Sequence, residues 1–236
     1  MATVNEIMDE LQANGSESIK KILVKHGILE PFFGVKIDYL KKIQKRVKKD
    51  YELAKGLYAT GNADAMYLAG LITDDDRMTK ADLDAWVKAA LSNNINEYTV
   101  PWVASQGKHG YELGLEWIDS SEPHIMAAGW STLSCHLALT PDDQLDLGRI
   151  KQLMERIKDT IHTSPNRVRQ KMNGFLISVG SYVAPLSEEA IATAKSVGVV
   201  TVDMNGTACK VPDAVEYIMK VKNKGAVGKK KKEVKC

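Results

Sequence analysis

The sequence predicts an all-α fold, an α-solenoid in which helices stack in successive pairs. Apolar residues recur at helical spacing in Leu40, Ile43 and Val47, with lysines and an arginine between them. The same pattern runs from Ile150 to Ile161. Breaks rich in Gly, Pro, Asn and Asp divide the chain into about ten helices joined by short loops.

Helix pairs of about 35–45 residues are too small to bury their own apolar faces, so they must stack on one another. This favours HEAT-like repeats that form an α-α superhelix, and a compact helical bundle is the alternative. Thr79 followed by Asp82 predicts a helix start, as does the acidic run after Thr140. The charge-free stretch from 123 to 141 contains too many polar groups for a membrane span and predicts a buried helix.

Three regions follow from this pattern. Residues 1–198 form the repeat domain, 199–224 a C-terminal extension and 225–236 a basic tail. In the extension, short runs of β-branched residues flank Asn205-Gly206, which is typical either of a β-hairpin turn or of an irregular loop, and a helix follows. The tail follows Gly225 and Gly228 and lacks apolar periodicity, so we expect it to be mobile.

Composition excludes several classes of protein. With 44% hydrophobic and 26% charged residues the chain is globular rather than disordered. Three widely spaced cysteines indicate free thiols in a reducing compartment, and no signal peptide or membrane span is visible, so we expect a cytoplasmic protein. No nucleotide-binding, hydrolase or metalloprotease motif occurs, and the five histidines lack metal-ligand spacing. We therefore expect neither a cofactor nor a metal.

The net charge of +2 is unevenly distributed. Residues 19–58 carry eleven Lys/Arg against four acids, residues 147–175 seven against two, and residues 220–236 eight against one, while residues 59–146 are strongly acidic. Basic blocks of this kind indicate a basic face and a polyanion such as nucleic acid as partner. Alternatively, each lysine run is a solvated helix face.

Two segments combine polar and aromatic residues in ways that predict a site. In the first, from 93 to 105, Pro101 must interrupt the helix, which brings Glu97, Tyr98 and Trp102 together at the break. In the second, from 165 to 185, Arg167 and Lys171 lie beside small residues on one side of a helix. This arrangement would let a phosphate backbone approach, although small residues also let a neighbouring helix pack. The first segment could likewise be a loop with core aromatics.

Both the FFGVKIDYLKKIQKRVKK segment, from Phe32, and the VRQKMNGFLISVGSYV helix resemble the DNA alkylation repair family, AlkD-type HEAT-like-repeat DNA glycosylases. The resemblance covers roughly residues 20 to 185 and implies a solenoid that holds double-stranded DNA on its basic concave face. It also implies excision of N3- or N7-alkylated purines, since an alkylated purine leaves as a neutral base once a carboxylate stabilises the sugar.

In the active glycosylases a Trp and an Asp lie four residues apart beside the lesion, with a second Trp on a later helix. The resemblance assigns these positions to Asn96, Val100 and Phe175, so this chain departs from the family pattern and is a divergent member. Glu97 is then the nearest carboxylate, and Trp102 is the aromatic that would replace the missing one.

The sequence therefore predicts a monomeric DNA-binding protein that either excises alkylated purines or binds damaged DNA without cutting. A helical scaffold that binds a protein is the rival, favoured if the basic blocks scatter, and an unrelated helical enzyme would need a His–carboxylate cluster. The candidate catalytic residues are Glu97, Trp102 and Phe175. The candidate DNA contacts are Lys45, Lys48, Arg167, Arg169, Lys171, Lys229, Lys230, Lys231 and Lys232.

Overall fold

A computed structural model of the chain describes residues 2–235, and within that range every regular element is helical. The α-helices are Val4–Ala13 (α1), Glu17–Lys25 (α2), Ile37–Val47 (α3), Tyr51–Ala59 (α4), Ala63–Ile72 (α5), Lys80–Ala89 (α6), Val100–Gln106 (α7), Gly110–Trp117 (α8), Pro123–Leu139 (α9), Leu147–Thr160 (α10), Asn166–Tyr182 (α11), Ser187–Val197 (α12) and Ala214–Asn223 (α13). A π-helical turn, Ile95–Thr99, precedes α7 and is called the π-turn below.

The helices form two layers, which confirms the predicted α-solenoid. Helices α3, α5, α7, α9, α11 and α13 pack side by side in one row, and each contacts the next. Helices α4, α6, α8, α10 and α12 lie behind this row, each against a helix of the first row. We call the first row the inner row, because its exposed face carries the groove described in the next subsection.

Helix α9 lies in the middle of the solenoid and joins two apolar cores. Ile125 and Ala128 pack with the N-terminal helices, while Trp130 and Leu133 pack with the C-terminal ones. Because α9 packs against both cores, residues 123–139 carry no charged side chain. The prediction of a buried helix is confirmed. In the described part of the chain, no helix is both long and apolar enough to cross a membrane.

The FFGVK segment is an ordered loop that a buried carboxylate holds in place. Asp64, at the start of α5, accepts hydrogen bonds from the backbone N–H groups of Phe33, Gly34 and Val35 at 2.6, 2.9 and 3.3 Å. Gly34 has φ +78, in the left-handed region that glycine adopts readily. Burial raises the pKa of Asp64, while the three N–H donors act in the opposite direction. This segment is therefore part of the architecture of the first repeats.

One helix begins where the sequence predicts, and another begins later than predicted. Thr79 and Asp82 form the expected capping box at the start of α6. The acidic run after Thr140 forms only a short 3₁₀ turn, and α10 begins later, at Leu147. There the Asp146 side chain accepts from the N–H of Arg149 at 2.9 Å, so the helix starts where a carboxylate can cap it.

The C-terminal extension consists of an irregular loop followed by α13. Residues 199–213 form no strand, so of the two alternatives the loop is the one that the chain adopts. Asn166 anchors it, since its amide exchanges two hydrogen bonds with the backbone of Asp203, at 2.8 and 2.7 Å. The loop thereby returns to α11 and to one end of the groove.

The prediction of a mobile tail is wrong, because the chain after α13 is docked on the inner row. The backbone N–H groups of Gly228 and Lys231 donate to the carbonyls of Ser181 and Ala138 at 2.9 and 2.8 Å. Lys235 forms an ion pair with Asp75 at 2.7 Å, and both side chains are less than 10% exposed. The tail therefore crosses α11, α9 and α7 and ends beside the 3₁₀ turn that follows α5.

Candidate nucleic-acid interface

A groove crosses the exposed face of the inner row. It consists of adjoining depressions that share lining residues, and it runs from loop 199–213 and α2, past the π-turn, α11 and α9, to the tail and α3. Its basic lining residues are Lys25, Lys41, Lys45, Lys48, Lys49, Arg167, Lys171, Lys210, Lys231, Lys232 and Lys235. Its acidic lining residues are Asp75, Asp76, Glu97 and Glu233. The three basic blocks of the sequence thus meet in one place.

The centre of the groove is formed by the break that Pro101 predicts. Proline has no N–H to donate to the carbonyl four residues earlier, so regular α-helical hydrogen bonding cannot pass through residue 101. The chain instead makes the π-turn Ile95–Thr99 and then enters α7. A π-turn holds one residue more than an α-turn, which changes the direction of the side chains on either side of it. Glu97 is thereby turned inward, while Tyr98 is 45% exposed.

Glu97 forms a buried ion triplet with two cations of α11. Its two carboxylate oxygens accept from Nε and Nη2 of Arg167 at 2.5 and 2.6 Å. Nζ of Lys171 lies 2.7 Å from the second oxygen. The Glu97 side chain is 0% exposed, whereas those of Arg167 and Lys171 are 25% and 12% exposed. The sequence picked out all three residues, and the structure joins them across 70 positions of the chain.

This triplet carries one excess positive charge in a site largely removed from water. A wholly buried carboxylate is stable only when cations and hydrogen bonds compensate its lost hydration, and here a two-pronged guanidinium and an ammonium do so. Both oxygens are occupied, so Glu97 fastens the π-turn to α11 and has no free face toward the groove. Arg167 and Lys171 remain partly exposed and present positive charge there.

Aromatic rings lie next to the triplet. Tyr98 packs against Trp102 with ring centroids 5.9 Å apart, and Nζ of Lys171 lies 4.7 Å from the centre of the Tyr98 ring. Both rings line the groove, although Trp102 is only 4% exposed. Ser131, Ser134 and Gly174 continue the lining with small side chains. An aromatic side chain beside cations is the combination that nucleic-acid sites use for bases and phosphates.

The positions that the resemblance assigns to the family Trp, Asp and second Trp do not reach this surface. Asn96 and Val100 are buried on the core side of the π-turn. Phe175 is 1% exposed and packs edge-on against Trp130, with centroids 5.3 Å apart. In this segment the two aromatic residues that line the groove are Tyr98 and Trp102, which are also four positions apart. The sequence placed Tyr98 at the break but not among the candidate catalytic residues, and the π-turn is what exposes its ring to the groove.

The other end of the groove holds lysines with few acidic partners. Lys45 and Lys48, both exposed, lie with Lys41 and Lys49 at the C-terminal part of α3. The tail adds Lys231 and Lys232. The buried pair of Asp75 and Lys235 holds the end of the tail beside them. Burial raises the pKa of Asp75 and lowers that of Lys235, while the charge of each partner acts the other way.

Three of the predicted DNA contacts lie outside the groove lining. Arg169 is half-buried, with a buried Nε that has no hydrogen-bond partner. Lys230 is used to fix the tail, since its Nζ donates to the Leu137 carbonyl at 2.9 Å and pairs with Asp142 at 2.8 Å. Lys229 is exposed and does not line the groove. Among the described residues, no group of three His, Cys, Asp or Glu side chains could hold a metal ion.

Known proteins resemble this chain along its whole length. A family model described as DNA alkylation repair enzyme matches residues 7–218. Uncharacterised proteins of Listeria monocytogenes and Listeria innocua are each 34% identical over 230 residues, covering 95% of this chain and 99% of theirs. A solved structure is similar with a TM-score of 0.90 and 38% identity over 100% of both chains. It is described as a new family of proteins related to the HEAT-like repeat DNA glycosylases with affinity for branched DNA structures.

Proposed function

The chain belongs to the DNA alkylation repair enzyme family, and on that premise we propose that it binds DNA along the groove, favours branched over linear DNA and excises no base. The partner is DNA with double-stranded arms, contacted mainly through phosphates.

The observation that carries the proposal is the charge of the groove. Eleven Lys/Arg line it against four acids, and two of those acids, Glu97 and Asp75, are already paired in buried ion pairs. Such an excess attracts a polyanion and releases counterions when lysines meet phosphates. A scaffold for proteins would not need the three basic blocks gathered on one face.

The side chains that face the groove support the proposal that no base is excised. Excision requires a carboxylate beside the sugar, able to stabilise a developing positive charge. Glu97 is fully buried, and both of its oxygens are held by Arg167 and Lys171. Val100, at the assigned Asp position, is apolar and buried, and Phe175 lies in the core. The groove therefore offers cations and aromatic rings without a free carboxylate at its centre.

The preference for branched DNA is supported by the similar solved structure, whose family has affinity for branched DNA structures. The likeness covers both chains completely, at 38% identity. The lining cations also extend from α2 and loop 199–213 at one end to α3 at the other. A branched DNA offers phosphates in more than one direction, and a broad basic surface can contact two arms together.

The proposal is tested by fluorescence anisotropy with labelled duplex, three-way and four-way junctions of equal arm sequence. We expect the junctions to bind at least about tenfold more tightly than the duplex, a preference of about 1.4 kcal/mol. Equal affinities would remove the preference for branches. Absence of binding to every DNA at 50 mM salt would contradict DNA binding itself and favour the protein scaffold.

Excision of N3- or N7-alkylated purines is the second candidate, favoured by the family description and by the presence of Glu97 in the groove. Release of 3-methyladenine or 7-methylguanine from methylated DNA decides between the two. If base release occurs, Glu97→Gln should lower its rate by roughly 10²–10³-fold, as for the loss of one preorganised electrostatic partner. We expect no release from the wild-type protein.

A further inference from the structure

One end of the groove deepens into a pocket of about 350 Å³ between α2, the π-turn, α11 and loop 199–213. This volume is typical of small-molecule sites and far below what a base pair with its backbone requires. The proposed DNA binding uses this pocket only for its share of the basic lining, although most of the residues that line it are polar.

Two acceptors in this pocket lack donors. Asn94 and Gln170 both line it, and Oδ1 of Asn94 and Oε1 of Gln170 are buried without any hydrogen-bond partner. A buried acceptor left unpaired costs free energy, so such groups in folded proteins usually meet a donor. Two unpaired amide carbonyls, one just before the π-turn and one on α11, suit a ligand that carries N–H groups.

Cations surround the same pocket. Lys25 and Lys210 line it from α2 and from the loop, and Arg167 lines it from α11. Glu97 accepts from two nitrogens of Arg167, while Nη1 of Arg167 faces Sδ of Met204 at 3.6 Å. The charge arrangement suits an anionic group such as a phosphate at the rim.

An aromatic ring completes the set. Tyr98 of the π-turn lines the pocket, and its large side chain is 45% exposed. Aromatic side chains that border cationic grooves stack on unpaired bases, whereas the bases of a continuous duplex are stacked on each other.

From these contacts we propose that the pocket receives one unpaired nucleotide of a DNA strand, whose base carries an exocyclic amino group. Rotation of the Asn94 and Gln170 side chains, whose amide oxygens are closed off from solvent, would bring both carbonyls to the amino group. The base would stack on Tyr98, and its phosphate would lie near Lys25 and Lys210. Side-chain amides recognise adenine by accepting from its amino group and donating to its ring nitrogen. This rests on the proposed DNA binding and explains a preference for branch points, where unpaired nucleotides occur.

The test compares three-way junctions that carry two unpaired nucleotides at the branch, either both dA or both dT, because thymine has no exocyclic amino group. Wild-type protein should bind the dA junction on the order of tenfold more tightly, the discrimination expected of one amide–base pair. Gln170→Leu and Asn94→Leu should each reduce this ratio to near one. Gln12→Leu, an exposed glutamine outside the groove, should preserve it.

Affinity for plain duplex separates this inference from the proposed function. It should be the same in all four proteins, since phosphate contacts dominate duplex binding. Equal wild-type binding of the dA and dT junctions, or a dA preference that survives in folded Gln170→Leu and Asn94→Leu, would overturn the pocket while leaving DNA binding intact. Failure of the wild-type protein to bind any DNA would overturn both. Thermal unfolding of each variant shows that it is folded.

Discussion

Two sets of cations line one groove and differ in their surroundings. Arg167 and Lys171 hold a wholly buried carboxylate and are themselves mostly covered. In contrast, Lys45 and Lys48, at the C-terminal end of α3, are exposed and have no acidic partner among the described ion pairs. The first set is required to compensate Glu97, so its main contribution is to stability. The second set is free to exchange counterions for phosphates, so under the proposed function its main contribution is to DNA binding. Basic residues in one surface therefore need not have one role.

The largest effect is expected from removal of the tail after Gly225. This deletes the exposed Lys231 and Lys232 from the groove, so the slope of log affinity against log salt should become shallower by about 2 and affinity at 50 mM salt should fall roughly a hundredfold. Lys235 is buried in its pair with Asp75 and is not counted among the phosphate contacts. Because the tail is docked, the thermal midpoint should fall as well, since Asp75 loses its partner. Anisotropy and calorimetry measure the two effects.

A full-length variant separates tail charge from tail docking. Lys231→Gln with Lys232→Gln keeps the backbone hydrogen bonds of the tail, so it should weaken DNA binding and leave the midpoint unchanged. If truncation leaves both DNA affinity and the midpoint unchanged, the tail is neither docked nor a DNA contact.

The next largest effect should come from Glu97→Gln. The substitution leaves Arg167 and Lys171 largely buried without a compensating charge, and breaking a buried ion pair in this way costs about 3 kcal/mol or more. For a chain of this size that corresponds to a fall of roughly 6–12 °C in Tm. Glu155→Gln is the matched control, because the Glu155 side chain is 62% exposed and pairs only within α10. A Tm equal to wild type would show that the triplet does not stabilise the fold.

Substitution of the exposed α3 lysines should have a smaller effect, confined to binding. Lys45→Gln with Lys48→Gln should make the salt slope shallower by about 2 and weaken binding roughly a hundredfold at 50 mM salt, with Tm unchanged. Lys158→Gln with Lys195→Gln removes the same charge from the second layer, outside the groove. If both double variants weaken binding equally, net charge rather than the groove determines affinity.

The smallest effect concerns His136, which lies next to the tail. Burial, aided by the charge of Lys230, lowers the pKa of His136 below its ordinary value of 6.5. The folded state therefore favours the neutral ring of His136. The stability that the buried neutral ring contributes is present above pH 6.5 and is lost as the pH falls through the lowered pKa. The Tm of wild-type protein should decline over that interval, and His136→Gln should flatten the decline. If Tm falls with pH equally in His136→Gln and in the wild-type protein, another group is responsible for the decline.

The sequence was sufficient for the elements whose physics is local. Apolar spacing gave the helices, the lack of charge identified α9 as buried, and Thr79 with Asp82 marked the start of α6. The docked tail was missed because part of its contacts are made by backbone groups, such as the N–H of Lys231, which leave no side-chain pattern in the sequence. Its ion-pair partner, Asp75, lies 160 positions away.

For the site, the sequence identified charged residues and could not pair them. Glu97, Arg167 and Lys171 were chosen for separate reasons, and only the packing of the π-turn on α11 joins them. Pro101 predicted a break without specifying its geometry, so the exposure of Tyr98 and the burial of Asn96 and Val100 could not be foreseen. One additional residue turns the side chains that follow by about 100° around the helix axis, which is enough to move a position from an exposed to a buried face.

The salt dependence of binding tests the central claim most directly, that this groove holds DNA through its unpaired cations. With about five phosphate contacts, the affinity of the wild-type protein for a junction should fall by two to three orders of magnitude between 50 and 200 mM salt. The slope should be nearly the same for different DNA sequences. An affinity that does not change with salt, or no binding at 50 mM, would contradict the account.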